Sequence, residues 1–317
     1  MQGKIAAVIV TYNRKELLAK CLQAVYRQTR PADQIVVIDN HSTDGTEAYI
    51  RQQAYPAQPE LIYRRLSANS GGAGGFHEGI RLARQNGADW VWIMDDDVIP
   101  DPTCLAELLA AREKIKGRIS FLASSVRGTS GEAMNVPKLT RKQFLHYTDW
   151  YQYLDEGIVQ VVKATFVSLL LNGAAIDRCG LPWKPFFIWG DDSEYTQRLI
   201  RDFGPAYMVG KSKATHLRGS AQELSIVKET NPDRIPLYFY YYRNNLIGFW
   251  EYETPLYCFL CMGKLWWDAL QVLCKGKYKG RKLRVIGKAF VHFVFGLYDR
   301  TSFRNRSKTE KTGGDRI

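Results

Sequence analysis

No stretch of this chain reaches the roughly 18 uninterrupted apolar residues that a membrane-spanning helix needs. The amino end, Met1 to Lys4, runs straight into an apolar β-branched run without the layout of a signal peptide, so a chain without a cleaved leader is expected. Cysteine is sparse and scattered. Cys258 and Cys261 form one CxxC, but it lies in an apolar aromatic stretch and lacks a second ligand pair; Cys21, Cys104, Cys179 and Cys274 stand alone. Packing in a reducing compartment fits these thiols better than zinc or redox chemistry. What is present suffices for one large domain with an appendage: 45% of the 317 residues are hydrophobic. The net charge of +12 is uneven. From Glu251 onward, fourteen basic residues stand against six acidic ones, and such a tail attracts anionic lipid or nucleic acid.

The stretch Asp89-Trp90-Val91-Trp92-Ile93-Met94-Asp95-Asp96-Asp97-Val98 organises the rest. An apolar, aromatic run reads as a buried strand, and three adjacent carboxylates end it. Carboxylates in a row repel one another, so a fold that places them at a strand end needs a cation to offset them. Asp95 and Asp97, two apart on extended backbone, are expected on one side, sharing a divalent ion, with Asp96 facing away. An acidic loop in water is the plain alternative, and the buried strand beside it speaks against that.

Earlier in the chain, residues 5–10 and 34–38 read as buried strands, 61–66 as a third strand, and 16–28 as a helix with Leu17, Leu18, Cys21, Leu22 and Val25 on one face. A turn at 41–46 opens a second helix. Residues 69–75 read as a glycine-rich loop before a helix at 76–85. Strand and helix alternate, which implies a parallel sheet with right-handed crossovers. Ligands bind such sheets at the carboxyl ends of the strands. Thr11–Asn13, Asp39–Asn40, Asn69–Gly75 and Asp95–Asp97 all fall there. The glycines break the dinucleotide pattern and follow the third strand, not the first. They suit close backbone approach to a phosphate, or a plain flexible turn.

Residues 120–162 are less legible, and their aromatics (Phe144, Tyr147, Trp150, Tyr151, Tyr153) suit core packing more than sugar stacking. Phe186 to Tyr195 delivers Asp191 and Asp192 to a helix start. Burial beside aromatic rings raises a carboxylate's pKa and makes a better base, while a helix amino end favours the charged form. His216 alone carries no assignment. Residues 237–245 read as an aromatic helix face. Beyond them, 254–274 and 285–298 are apolar and aromatic, with a basic link between, as in amphipathic helices on a membrane surface; a dimerisation or docking face is the competing use.

Four segments, AVIVTYNR (7–14), VIDNHSTDGT (37–46), NSGGAGGF (69–76) and MDDD (94–97), together resemble glycosyltransferase family 2. The last two look most like its galactofuranosyltransferase and rhamnosyltransferase branch. The resemblance implies a GT-A nucleotide-diphospho-sugar transferase fold, an α/β architecture with a mostly parallel central sheet flanked by helices, and inverting transfer. The catalytic domain would be 1–245, followed by a helical membrane-associating region at 246–300 and a disordered basic tail at 301–317. WGDDSEY (189–195) resembles the family's base motif, making Asp192 the catalytic base and Asp191 the acceptor-positioning acid, with the two roles interchangeable. Asp95, Asp97 and His216 would hold Mn2+ or Mg2+. Thr11, Asn13, Arg14, Asp39, Asn69, Gly71, Gly72, Gly75 and Asp96 would bind a nucleotide-sugar donor, with UDP-galactofuranose favoured and dTDP-rhamnose next. Residues 172–175 resemble the acceptor-lining segment. A lipid-linked glycan acceptor, a peripheral place at the inner face of the cell membrane and a homo-oligomer complete the expectations. A nucleic-acid-binding protein is disfavoured, since the tail lacks a recognition motif.

Overall fold

The computed structural model describes residues 3–53, 55, 59–140, 143–144, 147–218 and 224–296. The expected tail at 301–317 lies outside the described residues. The chain divides into two compact units, Met1–Lys184 with Tyr195–Ala221, and Pro185–Glu194 with Gln222–Ile317.

In the first unit, β1 (Ile5–Thr11), α1 (Lys15–Tyr26), β2 (Gln34–Asp39), α2 (Thr46–Gln52), β3 (Glu60–Arg65), α3 (Gly71–Gln85) and β4 (Trp90–Asp95) alternate as expected. β1 and β2 are buried at every position, which is why their sequences are unbroken apolar runs rather than alternating ones. Val8 pairs in parallel with Val36 of β2 and with Ile93 of β4. Residues 71–75 are not a loop. They form the start of α3, and their glycines serve helix-on-sheet packing: a Cβ on Gly75 would stand 2.5 Å from Val10 Cγ1, and one on Gly79 2.3 Å from Val8 Cγ1. Only Gly lets the helix lie this close to β1.

Beyond β4 come β5 (Val98–Pro100), α4 (Cys104–Lys114), β6 (Phe121–Arg127), β7 (Lys138–Leu139), β8 (Gln143–Phe144), β9 (Tyr147–Thr148), β10 (Ile158–Lys163), β11 (Leu169–Asn172), α5 (Gly173–Cys179), α6 (Asp191–Asp202) and β12 (Ala206–His216). The main sheet runs β3-β2-β1-β4-β11-β6-β12-β10-β7, with β5 paired to β12. It is parallel through its first four strands and mixed after them, because β11 runs antiparallel to both β4 and β6. The same register places Asn172, the first residue of the segment expected to line the acceptor side. Asn172 pairs with Trp90, at the amino end of β4, a strand length of about 16 Å from the acids. There its side chain caps α5 by accepting from Ala174 N at 3.0 Å.

β12 follows β6 in parallel up to Val209, then loses register until Lys213 pairs with Ser125. The bulge turns Ser212 inward, where it meets Ser124 at 2.8 Å and Cys104 Sγ at 3.2 Å. Ser168 extends this buried hydroxyl chain to the Trp92 indole N–H, which donates to it at 3.1 Å. Polar side chains this deep are tolerated because each has a partner.

The second unit contains α7 (Tyr238–Tyr252), α8 (Pro255–Lys275) and α9 (Lys279–Val294), which pack on one another. Tyr242 donates to buried Asp268 at 2.8 Å, and Lys264 answers the same carboxylate at 3.1 Å. The Lys282 ammonium, on a fully buried side chain, donates to Val227 O at 3.1 Å. That bond ties the segment before α7 to α9.

Candidate functional site

In the first unit the acids leave β4 as the strand ends. β4 stops at Asp95 and the chain turns through Asp96 and Asp97, so the two-residue alternation that would pair Asp95 with Asp97 does not extend that far. β5 then pairs antiparallel with β12, Val98 opposite His216, and Leu217 N donates to Asp97 O at 2.8 Å. This register, not sequence proximity, sets the imidazole beside Asp97, with Nε2 3.0 Å from Oδ1. The other ring nitrogen, Nδ1, lies 2.9 Å from Asn135 Oδ1.

Arg14, at the amino end of α1, reaches across both acids: its Nη1 donates to Asp97 Oδ2 at 2.7 Å and to Asp96 Oδ1 at 3.3 Å. Thr11 donates its hydroxyl to Asp96 Oδ2 at 2.7 Å. Burial pushes the Asp96 carboxyl up to about 6 despite Thr11 and Arg14. Asp97 goes the other way. Burial would raise it, but the His216 hydrogen bond and charge, and then Arg14, hold it below the usual carboxylate range. Asp95 is less buried than these two. Among the described residues no group of three or more His, Cys, Asp or Glu is gathered closely enough to hold a metal ion. The expected set of Asp95, Asp97 and His216 is thus assembled only as the Asp97–His216 pair.

The expected donor-binding residues divide by exposure. Asn13, Arg14 and Asn69 are exposed. Thr11, Asp39 and Asp96 are buried with internal partners; Asp39 accepts from Ser42 N at 2.7 Å and from the Tyr63 hydroxyl at 2.5 Å. Gly71 and Gly75 are buried and Gly72 half-buried at the start of α3. Asn13, at φ +53°, accepts from Thr43 N at 2.7 Å and joins the loops after β1 and β2. Asn40 fixes the entry to α3, donating to Gly71 O at 2.7 Å and accepting from the Ser70 hydroxyl at 3.0 Å.

In the second unit, residues 185–190 lead into Asp191. Phe187, Trp189 and Gly190 have φ of +60°, +61° and +96°, a costly conformation for two aromatic residues. Asn244 holds it. Its amide nitrogen faces Phe186 O at 2.9 Å, Ile188 O at 3.2 Å and Trp189 O at 2.8 Å. Its carbonyl oxygen accepts from the buried Arg243 guanidinium, which also donates to Pro185 O. Residues 237–245 therefore do more than present an aromatic face. Sequence reading missed this clamp, as it missed Asn135: an Asn gives no signal until the group it binds is in view. Asp191 is 7% exposed. Burial, and then the charge of Asp192, push its carboxyl up to about 8, against backbone N–H groups at the start of α6. Asp192 is less buried.

The profile of glycosyl transferase family 2 matches residues 6–157. Those residues, just under half of the chain, are similar to that family. The galactofuranosyltransferase GlfT1 of Mycobacterium tuberculosis is 33% identical over 207 residues, covering 63% of this chain and 66% of the relative; the chain thus matches just under two thirds of that protein's length. GalNAc-T7, solved with UDP, GalNAc and Mn2+, superposes with a TM-score of 0.56 at 16% identity, over 95% of this chain and 58% of its own. The TarS 1-349 structure of S. aureus in complex with UDP gives 0.53 at 14% identity, over 95% of this chain and 75% of its own. At such identities the likeness shows the fold, which is GT-A.

Proposed function

We propose that this chain is a family 2 inverting hexosyltransferase that moves galactofuranose from UDP-galactofuranose to a lipid-linked glycan in cell-surface polysaccharide synthesis. The similarity to GlfT1 favours this donor, and the Asp97–His216–Asn135 contact carries the chemistry. Asn135 Oδ1 lies 2.9 Å from Nδ1 and Asp97 Oδ1 lies 3.0 Å from Nε2. With a divalent ion bound, Nε2 and Asp97 Oδ1 would both serve as its ligands. An oxygen and an imidazole nitrogen suit Mn2+ or Mg2+, and an Asn holding the far ring nitrogen is the usual support of such a ligand. Asp97 and His216 would hold the ion with Asp95 near, and the bound ion supplies charge for the departing diphosphate.

The remaining roles fall to the chain's own groups. Asn13, Arg14, Asn69 and the amides at the start of α3 contact the donor, while Thr11, Asp39 and Asp96 fix the loops behind them. Burial and the charge of Asp192 raise the Asp191 carboxyl, so the less buried Asp192 is the better candidate for the base. Asp192 takes the proton from the acceptor hydroxyl as its oxygen attacks the anomeric carbon.

The test is thermal shift with Mn2+ across UDP-galactofuranose, dTDP-rhamnose and UDP-glucose, followed by product analysis. UDP-galactofuranose should raise the melting temperature most and give inverted product. A larger shift with dTDP-rhamnose would reassign the donor, and no shift with any nucleotide sugar would sink the proposal.

A further inference from the structure

Helix α8 has two unlike faces. Cys258, Leu265, Asp268, Ala269 and Val272 are buried, in a helix that packs on α7 and α9. Leu256, Phe259, Leu260, Trp266, Trp267 and Leu270 are exposed, Leu256 by 66% and Phe259 by 63%. Their three- and four-residue spacing makes one stripe along a helix about 30 Å long. Contiguous apolar surface of this kind is rarely left in water.

The charge around the stripe decides what covers it. From Thr254 to Gly296 the sole acid is Asp268, which is buried and bonded to Tyr242 and Lys264. Lys275, Lys277, Lys279, Arg281, Arg284 and Lys288 are all exposed. A second copy of this surface would meet the first with like charge and no exposed acid in α8 or α9 to answer it. Among the described residues no helix is long and apolar enough to cross a membrane. An apolar stripe with paired Trp beside a wholly basic border complements a layer that is apolar beneath and anionic on top.

We infer that α8 and the basic start of α9 dock on the surface of an anionic lipid bilayer. The Trp266–Trp267 face lies at the boundary of head groups and acyl chains, and the lysines and arginines meet lipid phosphates. The helix lies in the plane of the surface without crossing it. This inference needs only the second unit's surface and stands whether or not the transfer proposal holds.

The full chain should be sedimented with vesicles of phosphatidylglycerol and phosphatidylethanolamine, and with phosphatidylcholine alone. Binding to the anionic vesicles should be the stronger, and high salt should weaken it without abolishing it, since the apolar part is not screened. Trp266→Ser with Trp267→Ser should lower binding at least about tenfold on the anionic vesicles. Lys277→Glu with Arg281→Glu should lower it there and leave phosphatidylcholine binding unchanged. All four positions are exposed, and circular dichroism melting confirms that both variants fold. Absence of wild-type binding to anionic vesicles overturns the inference. So does a solution dimer, seen by light scattering, that the Trp substitutions dissolve, because a second copy would then cover the face. Binding to nucleic acid with none to vesicles overturns it as well.

Discussion

Two runs of adjacent acids end two apolar stretches of this chain, and the structure treats them in opposite ways. Asp96 and Asp97 leave β4 into a nest of donors: the Arg14 guanidinium bonds to both, the Thr11 hydroxyl to Asp96 and the His216 ring to Asp97. Asp191 begins α6, where the main influences on it are burial and a neighbouring carboxylate. In the first place carboxylates gather positive charge, as suits holding a cation. In the second, burial and the neighbouring charge raise one carboxyl, and its neighbour is the proposed base. Neighbours, more than the acids themselves, set these roles.

The contrast is broken most sharply at the base. Asp192→Asn should lower transfer by a factor on the order of 10² to 10⁴ while UDP binding and the Mn2+ thermal shift persist. Wild-type turnover in that variant would remove Asp192 from the role. On the other side, Asn135→Ala should weaken Mn2+ binding about 10- to 100-fold, read by calorimetry without any acceptor, because His216 loses the partner that orients its ring. An unchanged Mn2+ affinity would mean that His216 is held for packing alone. Asn244→Ala strips three loop carbonyls of their donor, at a cost of roughly 1–3 kcal/mol. Its kcat should fall with donor affinity kept, whereas a purely structural part would lower the melting temperature and leave kcat alone.

The smallest effect is the most diagnostic of the pair's electrostatics. Burial raises the Asp191 carboxyl above its unfolded value, so the folded chain keeps a proton that the unfolded chain has released. Stability therefore falls as pH rises from about 4 towards about 8, and is level above that. Asp96, raised to about 6, adds to the fall only in the lower part of that window. Asp191→Asn should flatten the stretch between 6 and 8 in urea unfolding and leave below 6 only the shallower slope due to Asp96. A slope that persists above 6 in the variant would place the titrating group elsewhere.

The legible parts of this fold were the ones whose cause is local. β1, β2 and β4 show as unbroken apolar runs because both sheet faces are covered, and the four polar clusters at their carboxyl ends follow from that alternation. The start of α3 was misread because glycine is a poor helix former, and its purpose, letting α3 approach Val8 and Val10, depends on another element. The pairing of Asp95 with Asp97 by strand alternation fails for a related reason. A two-residue period holds only inside a strand, and the strand ends at Asp95. His216 meets Asp97 across 119 positions through the pairing of β5 with β12, and Asn135 came from a segment with little pattern to follow. Asn244 sat in a stretch whose aromatic residues drew attention to packing.

The irregular stretch of β12 between Val209 and Lys213 determines more than local shape. Its length sets which way Lys213 through His216 face, since neighbouring side chains of a strand point to opposite sides. Removing one residue there would send the imidazole to the reverse side of the sheet with every atom of Asp97 still in place. Homologous chains that keep an imidazole at this position should therefore differ in this segment by substitution, while gains and losses of length accumulate in the loops.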